Sequence, residues 1–204
     1  LFKIDLSYDD WPFIYMPSKV YPITYLSIVF LLLISSIFFI NKITKIKSNK
    51  FSFTCFFLGA GFMLIETKSI TETAKIFGST WLVTSIVISA ILLMAFIANY
   101  LVIKRIKISS FQTYFLLFLS LLLGYYFPTY GFELIQKDIV KIVLPVILAL
   151  PILFSGLAFS KELFKLNSVS QALSSNILGA MFGGFLEYNS MYFGLSFLYV
   201  IAGF

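Results

Sequence analysis

Long apolar runs separated by short polar clusters repeat along this chain, from Pro22 to its last residue. A helix needs about 20 predominantly apolar residues to cross the hydrocarbon of a bilayer. The first run, Pro22 to Ile40, opens on a proline suited to a first helical turn and is followed by Lys42, Lys45, Lys47 and Lys50. The second starts at Phe51 and is apolar to Ile65, and its helical pattern continues through Glu66 to Phe77, with Gly78 as a stop. Trp81 to Ile103 is the third, ending on Lys104, Arg105 and Lys107; Phe111 to Phe127 is the fourth, stopped by Pro128. A mixed loop with Glu133, Lys137, Asp138 and Lys141 leads to the fifth, Ile142 to Phe159, which contains Pro145 and Pro151 and is followed by Lys161, Glu162 and Lys165. Ala172 to Leu186 is the sixth, ending at Glu187, and a shorter seventh covers Met191 to Phe204. The pattern predicts an all-α, polytopic membrane helix bundle of about seven transmembrane helices over 22–204, preceded by a polar segment, 1–21, that reads as the tail of an upstream soluble domain or as a linker.

Composition strengthens the membrane assignment. Hydrophobic residues make up 60% of the chain and charged residues 12%, with a mean hydropathy of +0.97. Soluble domains carry roughly 25% charged residues, so lipid must be the solvent for most of this apolar surface. The formal charge is +6, but the lysines and arginines stand in short clusters between apolar runs, which implies topology and contact with anionic lipid rather than a nucleic-acid surface. Placing the clusters after runs one, three and five in the cytoplasm puts the N-terminal segment outside. The chain has no histidine and a single Cys55, which excludes an internal disulfide and a catalytic pairing of histidine with serine or cysteine. Neither a metal site nor a cofactor is expected from this chain alone.

Candidate chemistry concentrates where charge enters the apolar runs. Glu66 shares a helical face with Gly59, Phe62 and Met63 behind it and with Ser69, Ile70 and Thr73 ahead. Lys68 and Glu72 at i,i+4, and Glu72 and Lys75 at i,i+3, form a separate charged ladder on the neighbouring face. Two readings of Glu66 stay open: an interfacial helix end, with the membrane part closing near Ile65, or a buried carboxylate lining a polar cavity. In the sixth run Asn176, Gly179, Gly183 and Glu187 share one face, and Gly179/Gly183 and Ala180/Gly184 are small-residue pairs that permit close helix packing; Gly59 and Gly61 play the same part in the second run. The second and sixth runs point the same way, so Glu66 and Glu187 are expected to approach one membrane face. Asn99 reads as interfacial, and Trp81, Tyr125, Tyr126, Tyr188 and Tyr192 as interface aromatics. Asp9-Asp10-Trp11-Pro12-Phe13-Ile14-Tyr15 reads as a rigid surface turn.

That last segment resembles the one preceding the membrane helices in bacterial multi-pass proteins related to spermidine synthase. Phe57-Leu58-Gly59-Ala60-Gly61-Phe62-Met63-Leu64-Ile65-Glu66-Thr67-Lys68-Ser69-Ile70-Thr71-Glu72 and Asn176-Ile177-Leu178-Gly179-Ala180-Met181-Phe182-Gly183-Gly184-Phe185-Leu186-Glu187 resemble two membrane motifs of the same group. The resemblance implies a bacterial inner-membrane protein whose upstream Rossmann-like domain binds S-adenosylmethionine or its decarboxylated form and transfers an aminopropyl or methyl group. No glycine-rich nucleotide loop occurs in this chain, so no catalytic residue can be assigned to it. The chain is then expected to be the membrane region, with lipids, an upstream domain or partner subunits as its partners. Its polar site is Glu66, Lys68, Glu72, Asn176 and Glu187. A transporter-like bundle for a small cationic or amphiphilic solute and a structural subunit of a larger complex are the alternatives.

Overall fold

The computed structural model describes residues 6–8, 10–16, 18–44, 51–105, 108–130, 137–166 and 169–203. Asp9, Lys45, Lys47, Lys50, Lys107 and Glu133 lie outside these residues. The described chain is helical and contains no strand. Six long helices run in chain order: α1 (Ile23–Thr44), α2 (Phe53–Phe77), α3 (Trp81–Ile103), α4 (Ser110–Tyr130), α5 (Lys137–Lys165) and α6 (Val169–Leu186). A 3-10 turn at Glu187–Asn189 and two short helices, α7 (Ser190–Phe193) and α8 (Phe197–Gly203), complete it.

Four stretches are long and apolar enough to cross a membrane: Phe53–Phe77, Trp81–Ile103, Ser110–Pro128 and Ile139–Lys165. The helix boundaries follow local chemistry. The Ser52 hydroxyl accepts from the Cys55 amide at the start of α2, and Thr80 does the same for Val83 at the start of α3, each supplying a partner to an otherwise orphaned helical N–H. Gly78, at φ 89°, ends α2 with its amide bonded to the Ala74 carbonyl, a conformation that a side chain would strain. Pro128 does not stop α4, which carries on to Tyr130: within the last turn a proline forfeits a single backbone hydrogen bond. The expected seventh span is not confirmed: the run is divided into Ser190–Phe193 and Phe197–Gly203 at Gly194, φ 93°.

α2 is the central helix and packs on α6, α5, α8 and α3. Its pairing with α6 is parallel and very close. Ser52 lies by Ser175, Phe56 by Gly179, Ala60 by Gly183, and Thr67 by Glu187, so both chains rise together. α3 and α5 run the opposite way, parallel to each other, with Ala98 against Gly156. Buried Ile65, Val87, Leu144, Leu148, Ile152 and Tyr199 form the main core between them. α8 dips back into the bundle, where the Tyr199 hydroxyl reaches the Leu148 carbonyl at 3.4 Å. That carbonyl also accepts from Ser69 at 3.3 Å. The start of α1 meets the bundle through Tyr25 against Tyr188, and Tyr21, just before the helix, stacks on Tyr192.

Candidate functional site

The polar residues of α2 do not converge on one cavity. The helix is continuous from Phe53 to Phe77, so consecutive polar positions are fanned around its axis by 100° per residue. Lys68 and Glu72 face the same side as Leu64, which clusters with Leu195 and Leu198 from the returning C-terminal segment. There the Lys68 ammonium donates to Glu72 Oε2 at 2.5 Å, and Lys75 reaches Glu72 Oε1 at 3.0 Å. Lys68 is 3% exposed. The ladder read from the i,i+4 and i,i+3 spacing is thus present, and both carboxylate oxygens of Glu72 are engaged.

Above this ladder sits the N-terminal segment. Asp10 Oδ1 accepts from the Ser196 amide at 2.7 Å and from its hydroxyl at 2.5 Å, and the Asp10 carbonyl accepts from the Leu195 amide at 2.8 Å. Asp10 Oδ2 lies against Gly194, where both the positive φ and the lack of a Cβ are needed. The Trp11 indole donates to the Met191 carbonyl at 2.6 Å and is fully buried with Met16 and Met191. The Asp10–Trp11 pair was visible in the sequence as a motif, but its partners are 180 or more residues away and only the fold brings them together.

Glu187 lies in the 3-10 turn beyond α6 and accepts from the Thr67 hydroxyl at 3.2 Å. Its carboxyl is pushed above the usual value by burial, partly offset by that hydrogen bond. The expected approach of α6 to the Glu66 region is seen, with Thr67 rather than Glu66 as the bonded residue. Asn176 stands about 16 Å from Glu187 along α6. Its amide nitrogen donates to the Cys55 carbonyl at 3.0 Å.

Asn176 borders a cleft of about 240 Å³ among α2, α3, α5 and α6. Phe62, Ile152 and Phe159 form its apolar wall, while Asn99, Ser160 and Asn176 supply neutral polar groups. Sequence reasoning treated Asn99 as interfacial and did not link it to Asn176; the two share no periodicity because they stand on different helices. Glu66 is half-buried one turn, about 6 Å, beyond Phe62 on α2 and is not among the residues lining the cleft. Lys161, a topology signal in the sequence, ties α5 to the start of α4 by donating to the carbonyls of Ile108 (2.6 Å) and Ser109 (3.0 Å) and to the Thr113 hydroxyl (2.5 Å).

Among the described residues no group of acids and cysteine has the arrangement of a metal site. No protein-family model, curated protein or solved structure matches this chain.

Proposed function

We propose that this chain is the membrane module of a spermidine-synthase-like integral membrane protein of the bacterial inner membrane, and that its N-terminal segment couples the module rigidly to a soluble region. In this reading α1 and α6 cross the bilayer along with the four longer apolar stretches, and residues 190–203 turn back into the bundle. Lys104, Arg105, Lys161 and Lys165 gather at the end of α3 and α5, away from Trp11, so positive-inside logic leaves Trp11 on the outer side. The supporting observation is the latch of Asp10 and Trp11 on 191–196. A flexible linker would leave an indole in solvent; this one is fully buried and hydrogen-bonded.

A spin label at Ser7 tests the coupling, in a Cys55→Ser background. The wild-type spectrum should be that of an ordered segment, and Trp11→Ala should make it mobile while the protein stays in the membrane through carbonate extraction. Equal mobility in both proteins would refute the coupling.

The transporter-like reading rests on Glu66, a half-buried carboxylate within the unbroken α2, level with Glu187 beyond the end of α6. Ion or amine flux in proteoliposomes, abolished by Glu66→Gln, is its expected outcome; no flux for any small cation counts against it.

A further inference from the structure

We propose that the cavity between the start of α1 and the turn after α6 binds a quaternary ammonium group carried on an alkyl chain. Pro22, Tyr25, Leu26 and Val29, at i, i+3, i+4 and i+7, bring one face of α1 to this cavity. Phe185 and Tyr188 line it from the end of α6 and the turn beyond, and Tyr21, just before α1, completes the aromatic lining. The volume is about 230 Å³, below the usual range of ligand pockets, so it suits a headgroup and its first methylenes rather than a whole lipid. No charged side chain lines it.

The lining selects against anions and against ordinary amines. Tyr21 stacks on Tyr192, and its hydroxyl donates to Asn189 Oδ1 at 2.9 Å. The Asn189 amide nitrogen donates in turn to the Leu186 carbonyl at 2.7 Å. These polar groups are engaged with the protein itself, and with no lysine or arginine in the lining an anion finds no counter-charge. The Tyr25 and Tyr188 rings lie 5.3 Å apart with their planes inclined at 44°, so with Tyr21 they offer three π-systems to one space. The face of such a ring is negative and attracts a cation. A primary ammonium carries three N–H donors, each needing an acceptor when it leaves water; a trimethylammonium carries none and packs methyl groups on the rings. Val29, one turn or about 6 Å beyond Tyr25, joins Leu26 and Phe185 as apolar surface for the chain. Met191 also lines the cavity while its carbonyl holds the Trp11 indole, so the site adjoins the latch, but its chemistry depends neither on the coupling role nor on transport. A lipid headgroup and a free amphiphile both carry this group, and lipid composition separates them.

The probes are hexyltrimethylammonium, hexylamine and hexanoate, titrated calorimetrically at neutral pH into the full chain in phosphatidylglycerol nanodiscs, with empty nanodiscs as the blank. The expected result is saturable binding of hexyltrimethylammonium, tighter than of hexylamine, and none of hexanoate. Tyr25→Leu should weaken it by about fivefold or more, the size of one cation–π contact. Tyr25→Phe keeps the ring and should stay within about twofold of wild type. Tyr25 is exposed, so both variants spare the core. Repeating the titration in nanodiscs that contain phosphatidylcholine identifies the source: weaker apparent binding means that the lipid headgroup competes for the site, unchanged binding that the ligand is a free amphiphile, and either supports the site. Heats equal to the blank, hexylamine or hexanoate binding as tightly, unchanged affinity in Tyr25→Leu, or an equal loss in Tyr25→Phe would each overturn the proposal.

Discussion

The contact between α2 and α6 makes opposite predictions for two glycines five residues apart. A Cβ placed on Gly179 would fall on the Phe56 carbonyl oxygen, with the carbonyl carbon at 2.6 Å and Cα at 2.9 Å. All three atoms belong to α2 backbone, inside the 3.0 Å that real Cβ contacts respect. No side-chain rotation relieves such a clash, so the helices must separate and the Ser52–Ser175 and Asn176–Cys55 hydrogen bonds stretch with them. Overpacking costs about 1–3 kcal/mol, and Gly179→Ala should lie at the upper end. Gly184, on the same helix, has nothing within 4 Å of its Cβ position. There alanine only improves helix propensity, worth about 0.5–1 kcal/mol. Thermal unfolding in detergent should therefore show Gly179→Ala falling by about 6–12 °C and Gly184→Ala rising by about 1–4 °C, using about 2–4 °C per kcal/mol for a domain of this size. A Gly179→Ala protein as stable as wild type would refute the parallel α2–α6 register; a fall in both would show that lost glycine itself, rather than the contact, is responsible.

Two further outcomes test the charged groups. Glu72→Gln leaves the buried Lys68 without its carboxylate and should cost about 3–5 kcal/mol, whereas Lys68→Met with Glu72→Leu should restore most of it; equal stability of the single and double variants, read by thermal unfolding, would refute the pairing. The Glu187 carboxyl is held above its ordinary value of 4.5 by burial, so the folded state keeps its proton while the unfolded chain loses it. Its contribution is complete below that ordinary value and is lost as pH rises through the folded one. Glu187→Gln, which keeps an acceptor for Thr67, should raise the midpoint at neutral pH and flatten its dependence on acidification; an unchanged pH profile would contradict the assignment.

Helix positions were largely legible along the chain because hydrocarbon imposes one rule on every segment: backbone polar groups must be satisfied within the helix. The continuation of α2 to Phe77, its stop at Gly78 and the Lys68–Glu72–Lys75 ladder all follow from local spacing. The extra turns of α5 at both ends were not legible, since Lys137, Lys161 and Lys165 break the apolar pattern without breaking the helix. Nor was the split at Gly194, where the positive φ is seated against the Asp10 carboxylate.

The candidate site shows the same division more sharply. Sequence periodicity could name Glu66, Lys68, Glu72, Asn176 and Glu187 as the unusual residues and could show that Glu66 and Lys68 lie on different faces. It could not say which neighbour each face meets. By itself the sequence determined the helical class and the charged ladder, because these depend on residues within a turn or two of one another. Only tertiary packing decided that the ladder is buried against Leu195 and Leu198, that Asn99 and Asn176 share a cleft, that Trp11 is locked onto Met191, and that Glu187 meets Thr67. Those outcomes depend on contacts between distant segments, and helices pack by shape and small residues that carry no address in the local pattern.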